Sequence, residues 1–239
     1  MIDIEQYSLV KLPEVSKILS SVGFIRECMK GSNHNKTVII IHSPEVYDPK
    51  KMEFVIEESE GFAKGYAILP NIKMVNIVYL TSILNAYVSW AFIADGSMEK
   101  RTSVTIEKLS NIAIRVLPDY LQKGVAYLHY LLMEFKKHKK EEGGNPYLDY
   151  WISVYKEIQN AIALELVMPQ MFKKYEIDML DAWCGLIDKC TKDYPNITLE
   201  QLKNALGNEL LTPQNVVIGN MKKLRVVMRT ITEHMTETV

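Results

Sequence analysis

The spacing of the apolar residues changes at Pro118, and this change constrains the fold of the chain more than any other feature. Before it, apolar residues come in short β-branched runs closed by turn residues. Thr37 to His42 (TVIIIH) ends at Ser43-Pro44, and Gly65 to Leu69 (GYAIL) ends at Pro70-Asn71. Asn111 to Leu117 (NIAIRVL) puts Ile112, Ile114 and Val116 on one face and ends at Pro118. These runs predict strands. Between them, helices are expected over Glu14 to Ser21 and Val75 to Ile93, with a single turn over Thr105 to Ser110 capped by Thr105.

After Pro118 the spacing becomes helical. Leu121, Val125, Leu128, Leu132 and Phe135 recur at three- and four-residue steps, which predicts a helix over Asp119 to Lys139. Glu142-Gly143-Gly144-Asn145-Pro146 breaks it. A second helix is expected over Tyr147 to Leu166, stopped or kinked by Pro169, and a third over Ile177 to Cys190. Thr198 and Gln201 form a capping box, and Thr212-Pro213 opens a last helix. In that helix Val217, Met221, Leu224, Met228, Ile231 and Met235 form an apolar seam, while Lys222, Arg225 and Arg229 read as a solvated face. The fold class expected is therefore α+β. A mixed α/β domain occupies residues 1–118, and an all-helical domain, a spacer helix followed by a bundle, occupies 119–239.

Composition rules out several functional classes. Hydrophobic residues make up 48% of the chain and charged residues 24%, so 239 residues can bury a core without staples. The three cysteines, Cys28, Cys184 and Cys190, have neither disulfide-framework nor zinc spacing and read as small buried hydrophobes of a reducing compartment. The opening MIDIEQYSLVKL lacks a basic region leading into an apolar one, so a cytoplasmic protein is expected. Polar residues interrupt the longest apolar stretch, Asn76 to Asp95, which argues for core and against a membrane span. With a net charge of −1 the chain carries no global basic field.

No catalytic constellation appears. The histidines, His34, His42, His129, His138 and His234, are scattered, and there is neither a phosphate-binding glycine loop nor a nucleophile elbow. Glu57, Glu58 and Glu60 read as a solvated face or turn. The expectation is a chain that is not an enzyme and needs no cofactor or metal.

One pattern is more specific. Tyr79-Leu80, Leu84-Asn85 and Gly96 precede TIEKLSNIAIRVLP (Thr105 to Pro118), and Gln122 follows. Upstream lie YSLVKLPEVSKI (Tyr7 to Ile18) and Ala67-Ile68-Leu69-Pro70-Asn71. In this order the residues resemble the target-recognition domain of type I restriction–modification specificity subunits, over about residues 1–129. The resemblance implies a non-catalytic, sequence-specific DNA-binding subunit whose loops contact double-stranded DNA and whose helices dock methyltransferase and restriction subunits. Specificity subunits with a single recognition domain pair up, so a homodimer is implied as well.

Base readout needs Arg, Lys, Asn or Gln at base edges, with phosphate contacts for register. Two polar segments supply them. Lys30, Asn33, Asn35 and Lys36 lie in the first, and Ser97, Lys100 and Arg101 lie in the second, where the resemblance places a Gly-Ser/Thr loop. The alternative is a helical interaction or scaffold protein that has lost DNA binding, a reading favoured by the near-neutral charge and the Glu57 to Glu60 run.

Overall fold

The computed structural model describes residues 2–24, 37–42, 53–58, 65–86, 104–142 and 146–190, together with residues 220, 222, 223 and 225. It is an α+β protein, with small antiparallel sheets in the N-terminal half and helices after them. The chain divides into two compact units. One comprises Tyr7–Gln122, the other Met1–Gln6 with Lys123–Val239.

In the first unit, β1 (Leu9–Lys11) pairs antiparallel with β6 (Ala113–Arg115). The strands β2 (Ser16–Ser20), β3 (Thr37–His42), β4 (Phe54–Glu58) and β5 (Gly65–Pro70) form a second antiparallel sheet in the order β2-β5-β3-β4. Ser20 lies opposite Tyr66, His42 opposite Gly65 and Ile41 opposite Phe54 at one end of this sheet. Ser16 lies opposite Pro70 and Thr37 opposite Glu58 at the other. Val38, Ile39, Ile40 and Ile41 are all buried, so the central strand has both of its faces covered. Val38 and Ile40 pack with Phe24, Ala67, Leu19, Val55 and Leu69. Against β3 and β4 lies α2 (Ile77–Leu84), in which every residue from Tyr79 to Leu84 is buried, including Thr81 and Ser82.

The strands expected at Thr37–His42 and Gly65–Leu69 are present, and the one expected over Asn111 to Leu117 is confined to Ala113–Arg115, with Ile112 and Ile114 buried. Two expectations need correction. The helix expected over Glu14 to Ser21 is a single turn, α1 (Leu12–Val15), followed by β2. Every residue from Ser16 to Ser20 has a partner in β5, and this ladder outweighs the weak local preference of the short run Ser-Lys-Ile-Leu-Ser. The acidic run, expected as a solvated face or turn, enters β4 with Glu57 and Glu58, and Glu57 is exposed there on a strand at the edge of the sheet. Helix α2 ends at Leu84 with Asn85 as its C-cap: the Asn85 amide still bonds Thr81, while its side chain pairs with Phe54. The remainder of the stretch expected to be helical, 87–93, lies outside the described residues. The turn at Thr105 forms as expected: Thr105 caps α3 (Ile106–Ser110) by accepting from the Lys108 amide at 3.2 Å.

The helical half follows its spacing closely. Helices α4 (Asp119–Glu142), α5 (Pro146–Val167), α6 (Pro169–Lys174) and α7 (Met179–Cys190) succeed one another, and Pro169 both separates α5 from α6 and opens the latter. The two units divide after Gln122, in the first turn of α4. In the second unit Tyr155, Ile158, Ile162, Leu180, Trp183 and Ile187 are buried, and Trp151 is half-buried. Tyr155 stacks on Phe135 at 5.2 Å and meets Trp183 edge-on at 6.1 Å. Cys184 is buried, as a small hydrophobe would be. The capping box at Thr198, all six residues of the Val217 to Met235 seam, and Arg229 lie outside the described residues. Lys222 and Arg225 are exposed, and Arg225 pairs with Glu157 at 3.1 Å.

Candidate nucleic-acid interface

The residues of the recognition-type pattern build a frame of buried polar contacts in the first unit. Asn76 caps α2 by accepting from the amides of Val78 (2.8 Å) and Tyr79 (3.2 Å). The buried Tyr79 hydroxyl donates to the Arg115 carbonyl at 2.6 Å. Desolvation there holds the phenol far above its ordinary range, so it stays a donor at any physiological pH. Arg115 in turn donates through Nη1 to the Tyr7 carbonyl at 2.6 Å, which ties β6 to the segment leading into β1.

Gln122 does more than any other side chain to hold this frame. Its Oε1 accepts from the Asn76 amide at 2.6 Å. Its Nε2 donates to the carbonyls of Met74 (3.0 Å) and Leu117 (2.7 Å). One buried amide therefore satisfies three backbone groups from two separate connections. Asn85 plays a similar part at β4: its Oδ1 accepts from the Phe54 amide at 2.9 Å and its Nδ2 donates to the Phe54 carbonyl at 2.8 Å. It thereby imitates a neighbouring strand. Replacing Asn85 with alanine should cost about 1–2 kcal/mol and speed hydrogen exchange at the Phe54 amide. Unchanged exchange there would show that the edge does not depend on this side chain.

All of the residues chosen as DNA contacts, Lys30, Asn33, Asn35, Lys36, Ser97, Lys100 and Arg101, lie outside the described residues. The positions flanking them are described. Segment 25–36 follows Phe24, just past the Ser20 end of β2, and precedes Thr37 at the opposite end of the sheet. Segment 87–103 follows Ala86, beside the Asn85–Phe54 pair. Ser20 and Phe54 stand at the same end of the sheet, so the chain enters both candidate segments from that end. The exposed described residues of this unit carry both signs, Lys11, Lys17 and Lys73 as well as Glu14, Glu57 and Glu107. Among the described residues no group of three or more histidine, cysteine or acidic side chains is placed to hold a metal ion, and no helix is long and apolar enough to cross a membrane.

The second unit holds a titratable group that the sequence reading passed over. Glu165, on α5, is buried, and its carboxylate accepts from the Leu180 amide at 2.9 Å at the start of α7. Burial pushes it up from its ordinary 4.5 to about 8. The Leu180 and Met179 amides oppose that rise, and the charges of Asp178 and Asp181 add to it. Because the folded value lies above the unfolded one, protonated Glu165 contributes stability that is complete below about 4.5 and is lost as pH rises through about 8. A lone acid inside the apolar run AIALELV was the sequence signal for this site.

The fold and the frame define a two-unit α+β protein with a buried polar frame in one unit and a helical assembly in the other. No protein-family model, curated protein or solved structure matches the chain.

Proposed function

We propose that this chain is a non-catalytic, sequence-specific DNA-binding module of the restriction–modification specificity type. In this reading the segments around Lys30–Lys36 and Ser97–Arg101 meet double-stranded DNA, and the helical unit docks methyltransferase and restriction subunits. The observation that carries the reading is the role of the pattern residues. Tyr79, Asn85 and Gln122, by which the sequence resembles such domains, are among the side chains that lock strands and connections together at long range. A pattern arising by chance has no reason to coincide with the tertiary frame. A rigid frame from which polar segments emerge is also what base readout requires, since recognition groups sit best on loops held by a scaffold.

The second reading, an interaction protein without DNA affinity, draws support from the charges of both signs among the exposed described residues of the first unit. Binding to random duplex DNA across a salt series separates the two. If Lys30, Lys36, Lys100 and Arg101 neutralise phosphates, log K against log salt should fall with a slope of about −3 to −4, and the K100A/R101A variant should lose about two units of that slope. A wild-type chain with negligible affinity at 50 mM salt, or a double variant with an unchanged slope, rejects the DNA reading in favour of the scaffold.

A further inference from the structure

The cavity above Glu165 lies wholly within the second unit. Ile2, Ile4, Glu165, Pro169, Phe172, Lys173, Ile177 and Asp178 line it. Its cover is the N-terminal segment, where Ile4 is buried at the start of the 3-10 turn Ile4–Gln6. Polar clasps hold that segment to α6: Lys173 bonds Asp3 at 3.2 Å and also Glu5, and Gln170 donates to Glu5. Lys173 is the cation nearest to hand along this wall, and its ammonium is engaged outward by the two acids of the cover. Glu165 is thus met by the backbone amides at the start of α7 and by the acids Asp178 and Asp181. Asp178 is itself half-buried and accepts from the Asp181 amide at 3.2 Å.

Burial and the two acids favour the uncharged form of this carboxyl group, against the two amides that favour the charged one. Once ionised it is a buried charge beside two acidic neighbours, and the readiest relief is fuller contact with water. Water can enter when the cover lifts, because the clasps that hold the cover are exposed ion pairs, which are individually weak.

We propose that Glu165 is a proton-operated latch for the N-terminal segment: protonated, it keeps residues Ile2–Gln6 seated over the cavity, and ionised, it admits water and releases them. The device is independent of whether the chain binds DNA. It would make the exposure of Ile2 and Ile4 respond to pH within the neutral-to-alkaline range, where ordinary carboxylates are silent.

The test uses the full-length chain with carbon-13-labelled carboxyl groups and labelled isoleucine methyls. The Glu165 carboxyl should titrate near neutral to mildly alkaline pH. Over the same range the Ile4 methyl should become accessible to a soluble paramagnetic agent, with relaxation enhancement rising at least several-fold between pH 6 and pH 9. In Glu165→Gln the Ile4 methyl should stay protected throughout. Should that variant fail to fold, Lys173→Ala serves instead. Loosening the cover lets water reach Glu165, so its titration midpoint should move down towards the ordinary range. The latch is overturned if wild-type Glu165 titrates near 4.5. It is equally overturned if Ile4 stays protected after Glu165 ionises, if Glu165→Gln keeps the pH-dependent exposure, or if the midpoint in Lys173→Ala does not move.

Discussion

Replacing Gln122 with leucine should destabilise the first unit by about 3–5 kcal/mol. The substitution removes one acceptor and two donor bonds at once and strands the Asn76 amide and the Met74 and Leu117 carbonyls without partners. Each buried backbone group left unsatisfied costs about 1–3 kcal/mol, and the three share one side chain, so their costs do not simply add. Urea unfolding followed by the exchange of β3 and β5 amides reads this unit separately from the helical one. The same experiment separates two meanings of the recognition-type pattern. If Gln122 serves the frame, the leucine variant loses stability, and DNA affinity falls only in step with the folded fraction. A stable variant with altered DNA preference would instead make Gln122 a contact residue and undo the structural account of the pattern.

In the helical unit, Trp183→Ala should be the most damaging single truncation, at about 3–5 kcal/mol, the usual cost of removing a fully buried aromatic side chain. Trp183 is wholly buried on α7. Its indole Nε1 donates to the Gly124 carbonyl at 2.8 Å, and its ring meets Tyr155 edge-on. It therefore holds α7 to α4 and α5 by packing and by a directed bond together. Trp183→Phe keeps most of the ring contact and loses the bond, and should cost about 1–2 kcal/mol. Far-UV circular dichroism in urea measures both, with Trp151 fluorescence as a second probe. Equal losses in the two variants would mean that the hydrogen bond, and not the packed volume, dominates at this site. A loss below 1 kcal/mol in Trp183→Ala would mean that α7 is not part of the cooperative core.

The helical half was legible because its information is local. Leu121, Val125, Leu128 and Leu132 mark the inner face of α4 by spacing alone, as Leu180, Trp183 and Ile187 mark that of α7. Proline and glycine fall where helices begin or break. The β-branched runs at Thr37 and Gly65 were legible for a related reason, since β-branched residues stiffen an extended backbone wherever it pairs. The same local reasoning failed at Ser16–Ser20 and Phe54–Glu58. The first run is too short to show a period. The second carries a glutamate, Glu57, whose exposure suits an edge position. What made both of them strands is pairing with β5 and with β3, partners tens of residues away or across an intervening segment.

The candidate sites divide in the same way. The amino-acid order alone determined the α+β class, the change of period at Pro118, the helices of the second half and the polar composition of the segments around Lys30 and Lys100. Only the tertiary structure decided that Tyr79, Asn85, Arg115 and Gln122 serve backbone groups far along the chain. It alone decided, too, that Glu165 is buried and shares a cavity with Ile4 and Asp178. The reason is physical. A side chain's hydrogen-bond partner and its exposure to water belong to whichever segments fold against it, and neither is encoded in its immediate neighbours.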